Sequence, residues 1–369
     1  MCISCFLLLG GSKLHDYRTL LFLCSEVSHF VLESKLFNID RRQFIVRAAI
    51  KGQCSKNYFY GKDLKIEKEL QSIEGNFSRV VDRILSPNYK LTCNDALFLL
   101  QYWLLQQQRT EATSRRSVEI SSAFTEAAQI SSQEYRLEME EAVKDSFERF
   151  QLLKECLNDL KVCLIRNESG ISFITSDDPA VEVNRLHILK TLACKEASGL
   201  ASAGLIISLP LTPTVQFVAY DSDVYNLPSQ DGWLKTKKDK DIDFFNQLQL
   251  LNCCANVFVS DEQQATYVDE LFRLVHVNRL ESKYRLTYAN AELDNKGNER
   301  FRIVDKSTVN KQGKILLYQE NLVPMPVFWA TFINWKSKRT AYTNESRVGY
   351  MRHDHALLRN DLALKRVKL

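Results

Sequence analysis

The sequence predicts an α+β fold in which an antiparallel sheet built from hairpins packs against several helices. Short segments of alternating apolar and polar residues lie next to one another in the chain and are separated by tight turns, a pattern typical of hairpins. Longer segments repeat apolar residues at three- and four-residue steps, which is typical of helices. Because the strands come in neighbouring pairs and do not alternate singly with helices, α+β is favoured over a doubly wound parallel sheet.

Three hairpins are predicted in the first 220 residues, and a turn at residues 294–297 indicates a fourth. The third hairpin bends around a Pro-Leu-Thr-Pro segment, which cannot continue a strand ladder. The predicted strand pairs are residues 36–39 with 43–46, 160–165 with 171–175, and 206–210 with 215–220.

The clearest predicted helix covers residues 66–84 and ends before Pro87. Thr92 is the expected N-cap of a second helix, with Asp95 three residues later. This helix is apolar nearly all round over residues 96–105, so we expect it to be buried. Further helices are predicted over residues 134–157, 241–258 and 261–275, and residues 111–133 indicate a mobile connection or a poorly packed helix.

The 369 residues are 45% hydrophobic and 25% charged, an ordinary globular composition, with a net charge of +4. Residues 336–369 hold nine Lys or Arg and three Asp or Glu, so the basic charge is concentrated in the tail. A basic tail can contact phosphates, but the favoured interpretation is a solvated helix face. The expected division is an unassigned segment 1–13, a core domain 14–280 and a C-terminal extension 281–369 with the basic tail.

The ten cysteines lack the spacing of a disulfide framework, which favours a reducing compartment. No stretch of 18 apolar residues and no signal-peptide cleavage pattern occur. We therefore expect a cytoplasmic protein without a membrane partner.

Four features carry candidate chemistry. Asp177 and Asp178 follow an apolar segment and precede Pro179, so they could ligate a metal or act as a base, or form an Asx-turn. Glu67 and Glu74 lie seven residues apart on one helix face, where each is either a base or metal ligand at the rim of the core or a partner of Lys or Arg.

Two single residues complete the candidate set. Arg109 ends the buried helix, where the helix dipole favours a cation and where it could also clamp a phosphate. Asn252 lies in an apolar helical segment, so its amide either joins a structural hydrogen-bond network or orients a substrate.

Four blocks within residues 50–260 share one resemblance, namely Asn57–Gly61 with Ile66-Glu67 and Ile73-Glu74, the "Q..RT" of Gln106–Thr110, Phe173–Pro179, and Leu209–Pro213 with Leu251–Ser260. Together they resemble a family known as domain of unknown function 4238, in which Phe173–Pro179 matches the "FITSDNP" box. The chain differs from that family in having Asp178 where members usually have Asn. It also lacks the opening "HHYVP" motif, for which the nearest candidates are His15 and His29, neither followed by Pro.

Acidic, cationic and amide groups recur across these blocks, which favours a hydrolase of a phosphate-bearing substrate, nuclease-like and of a defence or toxin type. A divalent metal fits this hypothesis, although the sequence names none. The alternatives are a non-catalytic nucleotide or nucleic-acid binding module, which would use Arg109 and the tail, and a structural or interaction protein. The hypothetical catalytic residues are Glu67, Glu74 and Asp177, and the substrate-binding residues are Arg109, Asp178, Asn252 and His15.

Overall fold

The structure is a computed structural model that describes residues 33–49, 65–127, 139–191, 199–293, 299–309, 313–345 and 349–369. Within these ranges it contains eight α-helices and several mainly antiparallel sheets, which confirms the α+β prediction. The helices are α1 (Lys65–Leu85), α2 (Cys93–Arg109), α3 (Glu111–Ala127), α4 (Met139–Leu153), α5 (Arg185–Thr191), α6 (Asp239–Asn252), α7 (Ala265–Val275) and α8 (His353–Leu357).

Sixteen strands lie in the same described ranges. They form sheets of five, four, three, two and two strands. The strands are β1 (Glu33–Asn38), β2 (Gln43–Ala49), β3 (Lys161–Asn167), β4 (Thr175–Ser176), β5 (Val181–Val183), β6 (Ile206–Thr212), β7 (Val215–Tyr220), β8 (Tyr225–Asn226), β9 (Trp233–Thr236), β10 (Asn256–Val259), β11 (Tyr284–Leu293), β12 (Glu299–Val304), β13 (Ile315–Asn321), β14 (Asn334–Trp335), β15 (Thr340–Thr343) and β16 (Lys365–Lys368).

The five-stranded sheet has the order β5-β6-β7-β3-β9 and is antiparallel except for the β3/β9 pair. One face packs on α1 and α2, and the other packs on α6. Every residue of β6 and β7 is buried, as expected for central strands covered on both sides. The sheet therefore forms the middle of three layers.

Helix α2 forms as the sequence predicts and anchors one outer layer. Thr92 Oγ1 accepts the backbone N–H of Asp95 at 3.1 Å, which completes the predicted N-cap. Trp103 is fully buried, and its indole Nε1 donates to Ser208 O at 3.0 Å, which connects α2 to β6. The Phe77 and Tyr102 rings stack with centroids 3.8 Å apart, which joins α1 to α2.

The four-stranded sheet, with the order β2-β1-β10-β4, shows one confirmed hairpin and one wrong prediction. The β1/β2 hairpin forms as predicted. The predicted pairing of residues 160–165 with 171–175 is wrong, because β3 pairs with β7 and β9 and only Thr175–Ser176 is a strand. Asn246 replaces a strand partner there, since its side chain accepts from Ile174 N and donates to Ser172 O, both at 3.0 Å.

The prediction of one helix over residues 241–258 is wrong after Asn252. Cys253 leaves the helical region, with φ −57° and ψ 154°, and β10 begins at Asn256. In contrast, the third predicted hairpin is confirmed as β6 and β7, and residues 111–127 form a helix, one of the two alternatives for that segment.

The C-terminal region contains a separate three-stranded sheet and a later segment that packs in the core. Strands β11 and β12 pair antiparallel, which confirms the fourth hairpin, although its turn at residues 294–297 lies outside the described residues. Ala330, Phe332 and Ile333 pack in the same buried cluster as Phe244 of α6. The tail forms the β15/β16 pair and the short helix α8, so it is not a single solvated helix face. The division at residue 280 stays a prediction.

Candidate functional site

Asp177, at the end of β4, bonds to the loop that leads from α6 into β10. Its Oδ1 accepts the backbone N–H of Cys254 at 2.7 Å, and its Oδ2 accepts those of Ala255 at 2.8 Å and Asn256 at 2.9 Å. Burial raises the pKa of Asp177, and these three donors oppose that rise. The carboxylate thus bonds backbone about 80 residues away, which differs from an Asx-turn.

Asp178 is the centre of a buried ion-pair cluster and is only 2% exposed. Its Oδ2 lies 3.0 Å from Arg116 Nη1 and 2.7 Å from Lys283 Nζ, and its Oδ1 accepts from Thr110 Oγ1 at 3.4 Å. Burial acts to raise the pKa of Asp178, but the Lys283 and Arg116 cations outweigh it and hold the pKa below its usual range. Asp178 is therefore an ionised group with two cationic partners.

Asn252 joins the same cluster from the last turn of α6. Its Nδ2 donates to the backbone O of Asp178 at 2.6 Å, and its own backbone O accepts from Lys283 Nζ. The amide is thus a member of a structural network, one of the two roles expected for it. The structure brings Asp177, Asp178 and Asn252 together.

Glu74 and Arg109 form a separate ion pair between α1 and α2. Arg109 Nη1 lies 2.6 Å from Glu74 Oε1, and the two side chains are 7% and 13% exposed, respectively. The expected alternative for Glu74, pairing with a basic residue, is what this contact shows. The neighbour of Arg109, Thr110, contacts Asp178, so the end of α2 lies between the ion pair and the cluster.

Two predicted residues cannot be placed. His15 lies outside the described residues. Glu67 lies on the described backbone of α1, but its side chain is outside the described part of the chain.

Three residues that sequence reasoning missed lie at the cluster, namely Arg116 on α3, Lys283 before β11 and Glu182 on β5. Arg116 and Lys283 lie 62 and 105 residues from Asp178 in the chain, so no local spacing could connect them. Glu182 did have a signal, because it is a single acidic residue between Val181 and Val183 in a strand.

Glu182 is half-buried, and its surroundings shift the pKa of its carboxyl group. Burial raises its pKa, which hydrogen bonding from Gln107 and the nearby Arg116 and Lys283 cations oppose. Gln107 Nε2 lies 3.4 Å from Glu182 Oε2. A carboxyl group with a raised pKa beside two cations, each with a side chain about a fifth exposed, can exchange a proton next to a bound anion.

The described residues contain no group of three or more His, Cys, Asp or Glu arranged to hold a metal ion. In the same described part of the chain, no helix has both the length and the apolar character needed to cross a bilayer.

Comparison with known proteins gives a family but no function. No curated protein and no solved structure matches the chain. The sequence model of a family described as "Protein of unknown function (DUF4238)" matches residues 32–263, which is more than half of the chain. The match includes Asp177, Asp178, Glu182 and Arg116, whereas Lys283 lies beyond it. The chain therefore belongs to the DUF4238 family.

Proposed function

We propose that the protein is a hydrolase whose phosphate-bearing substrate binds beside Asp178. The observation that carries the proposal is the convergence of Arg116 and Lys283 on one oxygen of Asp178, while both side chains remain accessible, 23% and 22% exposed. Arg116, Lys283 and Asp178 together carry a charge of +1, and the ionised Glu182 that acts as a base makes the four groups neutral before the substrate binds. A phosphate oxygen can share the two cations with Asp178, and a guanidinium and an ammonium are the usual protein ligands of phosphate.

In this proposal Glu182 is the general base. It accepts a proton from the attacking water, the water oxygen bonds to phosphorus, the phosphorus–oxygen ester bond breaks, and the leaving oxygen takes a proton from solvent. Because burial raises the pKa of Glu182, the base form appears only above the ordinary range of a glutamate. Asp177, Asp178 and Asn252 position the cations and the loop around them.

The test measures whether the full-length protein hydrolyses simple phosphate mono- and diesters, nucleotides or nucleic acids, with and without Mg²⁺ or Mn²⁺. Glu182→Gln is expected to lower kcat by about 10²–10⁴-fold, the usual contribution of a general base. Lys283→Gln is expected mainly to raise KM. Glu148→Gln and Lys154→Gln make the same changes at exposed positions on and just after α4 and are expected to change neither constant.

Failure of the folded wild-type chain to hydrolyse any of these substrates would overturn the proposal. One observation favours a second candidate, a structural module, because both oxygens of Asp178 and both oxygens of Asp177 already accept bonds from the protein. In that case Glu182→Gln and Lys283→Gln change stability while no activity exists to be lost.

A further inference from the structure

A groove lies at the edge of the five-stranded sheet opposite Glu182. Glu182 is on β5 and Trp233 is on β9, the two outermost strands. Four strand spacings separate them, a distance of roughly 19 Å. The groove has a volume of about 740 Å³, within the range of ligand pockets, roughly 300–1,000 Å³. It is thus a separate site of ligand size.

The lining of this groove is strongly basic, with Asp231 and Asp241 as its two carboxylates. Asp231 pairs with Lys90 at 3.0 Å, and Asp241 is buried and accepts from Thr236 Oγ1 and Thr331 N, both at 2.6 Å. The basic residues of the lining are Lys90, Arg166, Lys235, Lys237 and Lys238.

Three of these cations have no ion-pair partner in the described part of the chain. Among the described residues, Arg166, Lys237 and Lys238 have no carboxylate within 4.0 Å, whereas Lys235 approaches Glu168 at 3.7 Å. Lys238 Nζ instead lies 3.2 Å from the hydroxyl of Thr331. Like charges gathered in one concave surface repel each other and raise the local concentration of anions. The groove is therefore suited to a polyanionic ligand.

The Arg166 guanidinium lies over an aromatic ring inside the groove. The register of β3 and β9 pairs Arg166 with Lys235 and Leu164 with Trp233, which puts these side chains on one face of the sheet. The Arg166 guanidinium lies 4.5 Å from the centroid of the Trp233 ring. Trp233 Nε1 donates to the backbone O of Tyr89 at 2.8 Å, which fixes the ring. A fixed planar guanidinium is a surface on which an unpaired base can stack.

We propose that this groove binds single-stranded nucleic acid. Lys237 and Lys238 contact successive phosphates, and a base stacks on the Arg166–Trp233 pair. A basic groove combined with a stacking platform is the usual means of binding single strands without sequence preference. A duplex keeps its bases stacked on each other, so it cannot offer one to Arg166. This site is independent of the hydrolase proposal, because it shares no residue with the Asp178 cluster.

The experiment measures fluorescence anisotropy of labelled 12-nucleotide single-stranded DNA and RNA with the full chain, between 50 and 200 mM salt. We expect Lys237→Gln/Lys238→Gln to weaken binding by about tenfold or more. The slope of log K against log salt should fall in magnitude by about 1.4, since each phosphate contact on a single strand contributes about 0.7. Lys68→Gln/Lys154→Gln removes the same charge from exposed positions on α1 and just after α4 and should change affinity less than about twofold.

Arg166→Lys separates stacking from charge. It keeps the positive charge but loses the planar guanidinium. We therefore expect affinity to fall severalfold while the slope of log K against log salt stays unchanged. Thermal melting of each variant shows whether a loss of binding reflects unfolding. Four results would overturn the proposal: no binding at 50 mM salt, equal loss in the Lys68/Lys154 control, a duplex bound as tightly as the single strand, or a mononucleotide bound as tightly as the oligonucleotide. A difference in affinity between DNA and RNA then shows whether the groove favours deoxyribose or ribose.

Discussion

Lys283 Nζ lies 2.7 Å from Asp178 Oδ2, and this contact joins two parts of the chain that the sequence alone treats separately. Asp178 belongs to the family-matched region 32–263, whereas Lys283 lies beyond it, just before β11. The ion-pair cluster is therefore complete only when the C-terminal region is present. Because the cluster is held by charges, its contribution to the stability of the fold depends on pH.

Replacement of Lys283 by Met is expected to destabilise the protein by about 2 kcal/mol at pH 7. Removing one partner of a buried pair costs about 3–5 kcal/mol, and here Arg116 remains and Lys283 is partly exposed. The pKa of Asp178 is lowered in the folded protein, so its contribution is present above the unfolded pKa of about 3.9 and lost as pH falls through the folded pKa.

Lys283→Met raises the folded pKa of Asp178, so acid unfolding should begin at a higher pH than in the wild type. Urea titrations at pH 7 and an acid titration followed by circular dichroism measure both effects. Lys154→Met, at an exposed position, should leave both unchanged. An unchanged acid midpoint in Lys283→Met would show that Lys283 does not stabilise ionised Asp178.

The Glu74–Arg109 ion pair predicts strong coupling in a double-mutant cycle. Each of Glu74→Gln and Arg109→Met leaves a nearly buried charge without its closest partner, at a cost of about 3 kcal/mol. The double variant removes both charges and should lose less than the sum, with a coupling energy above about 1 kcal/mol. Chemical denaturation of the four proteins gives the cycle. Additive losses would mean that the pair contributes little to stability.

Asp177→Asn should destabilise the loop between α6 and β10. The carboxylate accepts three backbone N–H groups, whereas an amide offers one oxygen and brings two donors of its own. At least one of these exposed or half-buried N–H groups loses its partner, at a cost of about 1 kcal/mol. Hydrogen exchange at Cys254, Ala255 and Asn256 should speed up more than exchange in β6. Loss of turnover without any change in exchange or melting would support the catalytic role predicted for Asp177.

The sequence predicts those parts of the fold that local patterns determine. The periodicity of α1, the Thr92 cap and the β1/β2 hairpin depend on residues that are close in the chain, and all three form as expected. The errors occur where side chains from distant parts of the chain form hydrogen bonds with the segment. Asn246 bonds the backbone of residues 172 and 174, so that segment does not pair with β3.

The candidate site is visible in the sequence only in part. The box around Asp177 and Asp178 and the amide of Asn252 lie together in the structure, and their functional roles stay predictions. The cations that determine the charge of Asp178 could not be identified, because Arg116 lies in a weakly patterned segment and Lys283 lies outside the resembling blocks. Contacts across 62 and 105 residues leave no mark in spacing.

Glu182→Gln should make the protein more stable than the wild type, increasingly so as pH rises. Burial raises the folded pKa of Glu182 above the unfolded value of about 4.3, so the native state binds its proton more tightly than the unfolded state. Stability from this group is therefore fully present below about pH 4 and is lost as pH rises through the folded pKa. The glutamine side chain in the variant has no proton to lose. The difference in unfolding free energy between the two proteins should therefore be independent of pH only below about pH 4.

The difference in unfolding free energy between Glu182→Gln and wild type should then grow with pH and level off above the folded pKa. Its total change is roughly 1.4 kcal/mol for each unit by which the pKa is raised. Denaturation at pH values from 4 to 9 measures it, with Glu148→Gln as a control that should give a constant difference because Glu148 is exposed. If Glu182→Gln is instead less stable at neutral pH, the Arg116 and Lys283 cations hold Glu182 ionised, and it cannot start the reaction as a base with a raised pKa.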